Sequence, residues 1–95
     1  MSKGVEGKVI WITGASSGIG RAAALEAASR GARVVLSGRR VEALDEVARE
    51  CKARGGQAAA VLAFDLESAA GRAEACEAAP GLLGPIDALV LNAGI

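Results

Sequence analysis

The stretch Thr13-Gly14-Ala15-Ser16-Ser17-Gly18-Ile19-Gly20 spaces three glycines as Gly-x-x-x-Gly-x-Gly. The chemistry open to it is phosphate binding by the backbone. Gly14 permits a tight turn, Gly18 lets main-chain N–H groups approach an anion, and Gly20 allows a helix and a strand to pack closely. Ser16 and Ser17 add hydroxyls as phosphate contacts or caps, as does Ser37 further on, and Ile19 separates the last two glycines. The Gly-Lys-Ser/Thr ending of a nucleoside triphosphatase loop is missing, which argues against ATP hydrolysis. A loose glycine triplet would only cap a helix, so the elements on either side decide the matter.

Those elements fit. Val9-Ile10-Trp11-Ile12 is an apolar, β-branched run suited to a buried parallel strand. Arg21–Arg30 is helical in composition and is closed by Gly31. The helix start offers unpaired N–H groups and a partial positive charge to an anion. Ala32–Ser37 is a second strand. Val41, Leu44, Val47, Ala48 and Cys51 then recur at helical spacing until Gly55-Gly56. Gln57–Phe64 is a third strand, Glu67–Ala79 a third helix, Pro80–Pro85 a turn-rich connector, and Ile86–Leu91 a fourth strand. Strands alternating with helices at this pitch predict an α/β fold. Its parallel sheet has four strands in the order 3-2-1-4, with helices on both faces.

The 95 residues, 52% hydrophobic, suffice for one compact domain. A formal net charge of zero gives no attraction to nucleic acid or an anionic membrane, and Trp11 and Phe64 are the only aromatics, too few for a base-stacking surface. No apolar run is long enough to span a bilayer, and the first eight residues lack the apolar core of a signal peptide. The expectation is a cytoplasmic protein. Cys51 and Cys76 lie far apart, fit no metal spacing, and read as buried or half-buried hydrophobes without a disulfide. With no histidine, no Ser-His or Cys-His nucleophile is available, and no metal site is expected.

From Lys8 to Ile95 the chain resembles the short-chain dehydrogenase/reductase family, whose cofactor motif is Thr-Gly-x-x-x-Gly-x-Gly. The resemblance implies a Rossmann-like, doubly wound dinucleotide-binding fold. An acidic residue at the end of the second strand would bind the ribose 2′-hydroxyl of NAD(H). Here Gly38 stands in that place, followed by Arg39 and Arg40. A guanidinium there can clamp a 2′-phosphate, so NADP(H) is expected over NAD(H), with Arg39 the main contact and Arg40 a helper. Phe64-Asp65-Leu66 matches the family's place for an Asp that hydrogen-bonds the adenine amino group. Asp65 would serve equally as a helix cap. Asn92-Ala93-Gly94 matches the family's Asn-Asn-Ala-Gly stretch, which braces the sheet against the glycine loop partly through the residue here numbered Thr13, although Leu91 replaces the first Asn.

The family's catalytic Asn, Ser and Tyr-x-x-x-Lys would lie beyond Ile95, and the chain has no tyrosine, so no catalytic residue is assigned. Residues 1–95 are expected to be the N-terminal dinucleotide-binding portion of an alcohol–carbonyl oxidoreductase. The alternatives are a non-catalytic dinucleotide-binding module or an inert truncated fragment. The fourth strand would be an apolar edge, so self-association is also expected.

Overall fold

The computed structural model describes residues 4–16 and 18–92. Strands and helices alternate: β1 (Val9–Thr13), α1 (Gly18–Ser29), β2 (Arg33–Ser37), α2 (Val41–Ala53), β3 (Ala58–Val61), α3 (Ala69–Ala78), α4 (Pro80–Leu83) and β4 (Ala88–Val90). The strands form one sheet in the order β3-β2-β1-β4, every pairing parallel, as the sequence predicts. Trp11 lies opposite Val35 on one side and Leu89 on the other.

Alternation along the central strands divides the core. Ile10, Ile12, Val34 and Leu36 pack against Ala24, Leu25 and Ala28 of α1 and Leu44, Val47, Ala48 and Cys51 of α2. Val9, Trp11 and Val35 turn to the other face, where Ala75 and Ala79 cover them beside half-buried Leu62, Phe64, Leu83 and Ile86. β1 is therefore buried along its whole length, β3 is half-buried, and β4 is exposed. At the entry to β1, the Val9 N–H donates to Asp87 Oδ2 at 2.9 Å, and the Asp87 N–H donates to the Val9 carbonyl at 2.9 Å. This pair joins the first and last strands across 78 residues.

Several local expectations shift. α1 starts at Gly18, so the glycine turn runs straight into the helix. The connector at Pro80 contains the short helix α4, because proline at a first helical position gives up an N–H that would be unpaired anyway. Asp65 does not cap α3. Ser68 does, its Oγ accepting from the Gly71 N–H at 3.0 Å, while Asp65 Oδ1 accepts from the Glu67 N–H at 3.0 Å in a local turn. Cys51 is buried as expected, but Cys76 is exposed. Ala75 of α3 and Ala79 at its C-terminal cap, one turn apart, pack on the sheet, and Cys76 falls off that stripe. Ser37 is no phosphate contact: it is buried, and its Oγ accepts from Trp11 Nε1 at 2.8 Å. Among the described residues no helix is long and apolar enough to cross a membrane, and no cluster of His, Cys, Asp or Glu could hold a metal ion.

Candidate functional site

The site lies beyond the carboxyl ends of the strands, where loops leaving β1, β2 and β3 converge. In parallel α/β sheets this is where the crevice between diverging loops opens. After β1, Gly14 takes φ +61° and Gly18 takes φ +60°, a left-handed region costly for residues with a side chain. Between them the Ala15 N–H donates to the Ser37 carbonyl at 3.0 Å, fastening the turn to the end of β2.

Gly20 shows why the spacing matters. A Cβ built on it would lie 2.0 Å from the Gly14 carbonyl oxygen and 2.8 Å from Asn92 Nδ2. No side chain fits there, so the first turn of α1 sits directly on the turn that precedes it. The same Gly14 oxygen accepts a hydrogen bond from Asn92 Nδ2 at 3.2 Å. The Asn92 N–H donates to Thr13 Oγ1 at 2.9 Å, and that hydroxyl in turn lies 3.4 Å from the carbonyls of Val90 and Asn92. Thr13 and Asn92 thus tie the end of β4 to the glycine turn without drawing on Leu91, which is 70% exposed.

A cleft of ≈ 800 Å³ opens in front of this brace. Gly14 and Ser16 border it from β1, Gly38, Arg39 and Arg40 from β2, and Asn92 closes one end. Asp65 and Leu66 reach it from the loop after β3. Gly18 and Ile19 stand exposed at the start of α1, and the Cβ position of Gly18 faces open space. Gly20 is buried beneath them. Ser17, Ala93 and Gly94 lie outside the described residues.

Arg39 and Arg40 are exposed, and Arg40 precedes α2 with no capping hydrogen bond from its side chain. Gly38 is tied to the segment leaving β3, its carbonyl accepting from the Phe64 N–H at 2.9 Å, and the two residues that follow it line the cleft. Two residues that carry no sequence signal also border the cleft: Glu67 and Arg72. Both sit beyond Asp65 in a segment read only as alanine-rich helix, and only the turn of the loop brings them round. The cleft wall therefore combines donor-rich backbone at the β1 turn, cations after β2, and a carboxylate after β3. That arrangement suits an elongated anion with a neutral hydrogen-bonding end.

Comparison with known proteins agrees with this geometry. The family model described as short chain dehydrogenase matches residues 8–95. An uncharacterized oxidoreductase of Listeria monocytogenes is 44% identical over 91 residues, covering 96% of this chain and 36% of its own length. The structure of L-sorbose reductase from Gluconobacter frateurii, complexed with NADPH and L-sorbose, matches with a TM-score of 0.91 and 41% identity, covering 100% of this chain and 36% of that one. An NADH-dependent reductase complexed with NAD matches with a TM-score of 0.89 and 31% identity over 97% of this chain and 38% of its own. The chain spans about a third of the length of these relatives.

Proposed function

The chain belongs to the short-chain dehydrogenase family of oxidoreductases, and from that premise we propose that it is the NADP(H)-binding portion of an alcohol–carbonyl oxidoreductase. The observation that carries the cofactor choice is Arg39. It is exposed at the rim of the cleft, directly after Gly38, where a carboxylate would repel a 2′-phosphate. The residues present fit a dinucleotide: Gly20 has no room for a side chain, Gly18 faces open space at the start of α1, and Arg39 and Arg40 line the same cleft as the β1 turn. The NADPH of the L-sorbose reductase neighbour supports this reading. The NAD of the other neighbour means that the scaffold alone does not choose.

In this reading the β1 turn and the α1 N-terminus hold the pyrophosphate, Arg39 and Arg40 the 2′-phosphate, and Asp65 and Leu66 the adenine. Gly14, Asn92, Ala93 and Gly94 line the path towards the nicotinamide. Bound nicotinamide supplies the hydride donor or acceptor. Hydride transfer at a carbonyl also needs a group to deliver or remove a proton at the oxygen. These 95 residues hold no tyrosine or histidine for that task, so its acid–base partner would come from outside them.

Titration of the chain with NADPH and NADH tests the cofactor choice. NADPH is expected to bind about tenfold to a hundredfold more tightly, and Arg39→Ala to remove most of that difference, since a hydrogen bond to a charged group contributes roughly 1.5–3 kcal/mol. Equal dissociation constants, or an Arg39→Ala variant that keeps the preference, would sink it. We also propose that the chain self-associates through β4, the outer strand of the described sheet, whose Leu89 and Val90 are 47% and 39% exposed. Sedimentation should show species larger than one chain at high micromolar concentration, and a clean monomer there refutes it.

A further inference from the structure

The segment from Asp65 to Arg72 is fastened to itself at every step. Asp65 Oδ1 accepts from the Glu67 N–H at 3.0 Å, and the Asp65 carbonyl accepts from the Ser68 N–H at 3.0 Å. Ser68 Oγ caps Gly71, and the Ser68 carbonyl accepts from the Arg72 N–H at 2.9 Å. A Cβ on Gly71 would come within 3.3 Å of the Asp65 carbonyl and of Ser68, so the helix start lies close against the loop. The Arg72 guanidinium then reaches back, Nη1 donating to the Leu66 carbonyl at 2.6 Å. It grips the residue next to Asp65 from the cleft side, since Arg72 itself borders the cleft.

We infer that Arg72 is a positioning residue: by holding the Leu66 carbonyl it fixes the loop so that Asp65 presents its second carboxylate oxygen to a neutral N–H donor at the base end of the bound dinucleotide. With Oδ1 engaged by the Glu67 N–H, Oδ2 is the oxygen left to accept. A carboxylate repels phosphate, so the part of the ligand it meets is the amino edge of the base. Arg39 and Arg72 both border the cleft but on different elements, Arg39 after β2 and Arg72 on α3, so the two cations divide the work. Arg39 selects at the 2′-phosphate, and Arg72 acts on base recognition through Asp65. This inference rests on the dinucleotide reading of the cleft.

The test compares NADPH with its hypoxanthine analogue, in which the exocyclic amino group is replaced by oxygen, and with NADH. The unsubstituted chain should prefer adenine by about three- to tenfold, the scale of one net hydrogen bond. Arg72→Met keeps the aliphatic stem but removes the donors. It should abolish that preference while leaving the NADPH-over-NADH ratio in place, a ratio that also reports that the variant is folded. Arg72→Lys, whose ammonium can still donate to the Leu66 carbonyl, should recover part of the base preference. Undiminished discrimination in Arg72→Met, or no recovery in Arg72→Lys, would overturn the role of Arg72 alone. Failure of the unsubstituted chain to bind any of the three would overturn the dinucleotide reading and this inference together.

Discussion

Trp11 and Ile12 are neighbours in β1, yet they face cores of unequal depth. Ile12 looks into a layer closed by two full helices, with Leu44, Leu36 and Cys51 fully buried around it. Trp11 looks into a layer whose helical cover is two alanines, Ala75 and Ala79, with larger side chains that are only half-buried. Alanines remove little apolar area from water, so the ring of Trp11 supplies much of the bulk, with Phe64 tilted against it at 6.2 Å between ring centroids. The candidate site draws on both sides. The glycine turn is seated on the deep face, whereas Asp65 and Arg72 belong to the loop and helix of the thin one. Stability thus concentrates at the phosphate end of the cleft, and the base end rests on elements that open more easily.

The sharpest way to break this contrast is a matched pair of truncations. Leu44→Ala on the deep face should cost about 2–5 kcal/mol in urea unfolding, as a fully buried leucine does when its cavity cannot collapse. Leu83→Ala on the thin face should cost less than about 1.5 kcal/mol, because half of that transfer is already missing. Equal losses would mean that the faces are equally tight. Trp11→Phe comes next, at about 1–2 kcal/mol. It removes the indole donor and leaves the buried Ser37 hydroxyl without its 2.8 Å partner, so thermal melting should fall although the ring stays aromatic.

The smallest effect concerns the two thiols. Burial, with Glu50 adding to it, pushes the Cys51 thiol from 9.0 up to about 11, while Cys76 is exposed. A raised folded value means that the native state keeps its proton while the unfolded chain loses one. The contribution is complete below about pH 9 and is lost as pH rises from there through 11. An alkylating reagent at pH 8 should label Cys76 and spare Cys51, and unfolding midpoints should drop between pH 9 and 11 more in the parent chain than in Cys51→Ala. Fast labelling of Cys51 at pH 8 would show that α2 does not seal the deep face.

The deep face was also the legible one. Continuous β-branched runs mark β1 and β2, and the helical spacing of Leu44, Val47 and Cys51 marks α2, while the strand order 3-2-1-4 follows from the doubly wound plan that alternating strands and helices imply. The thin face was harder because alanine speaks weakly for any state. Gln57–Phe64 shrank to Ala58–Val61 as a strand, although the Leu62 and Phe64 N–H groups still donate to the Leu36 and Gly38 carbonyls, and the start of α3 was set by Ser68 rather than Asp65. Pro80 read as a break and instead opened a short helix. In the site, residues that act through the local backbone, such as Gly14, Gly20 and Arg39, are visible as motif positions. Arg72 was not, because its place at the cleft depends on how a loop turns.

The hydrogen-bonded pair between Val9 and Asp87 sets a timetable for the chain as it is made. β1 is translated first but lies inside the sheet, flanked by β2 and by β4. Its β2 edge can be covered as soon as α1 and β2 have emerged. The other edge must wait for a strand 78 residues further on, which at roughly 5–20 residues per second means about 4–16 s of synthesis. Throughout that interval Val9–Thr13, buried along its whole length in the folded chain, carries one open side. The nascent chain therefore spends its most adhesive seconds before Asp87 appears, and the fourth strand completes the first.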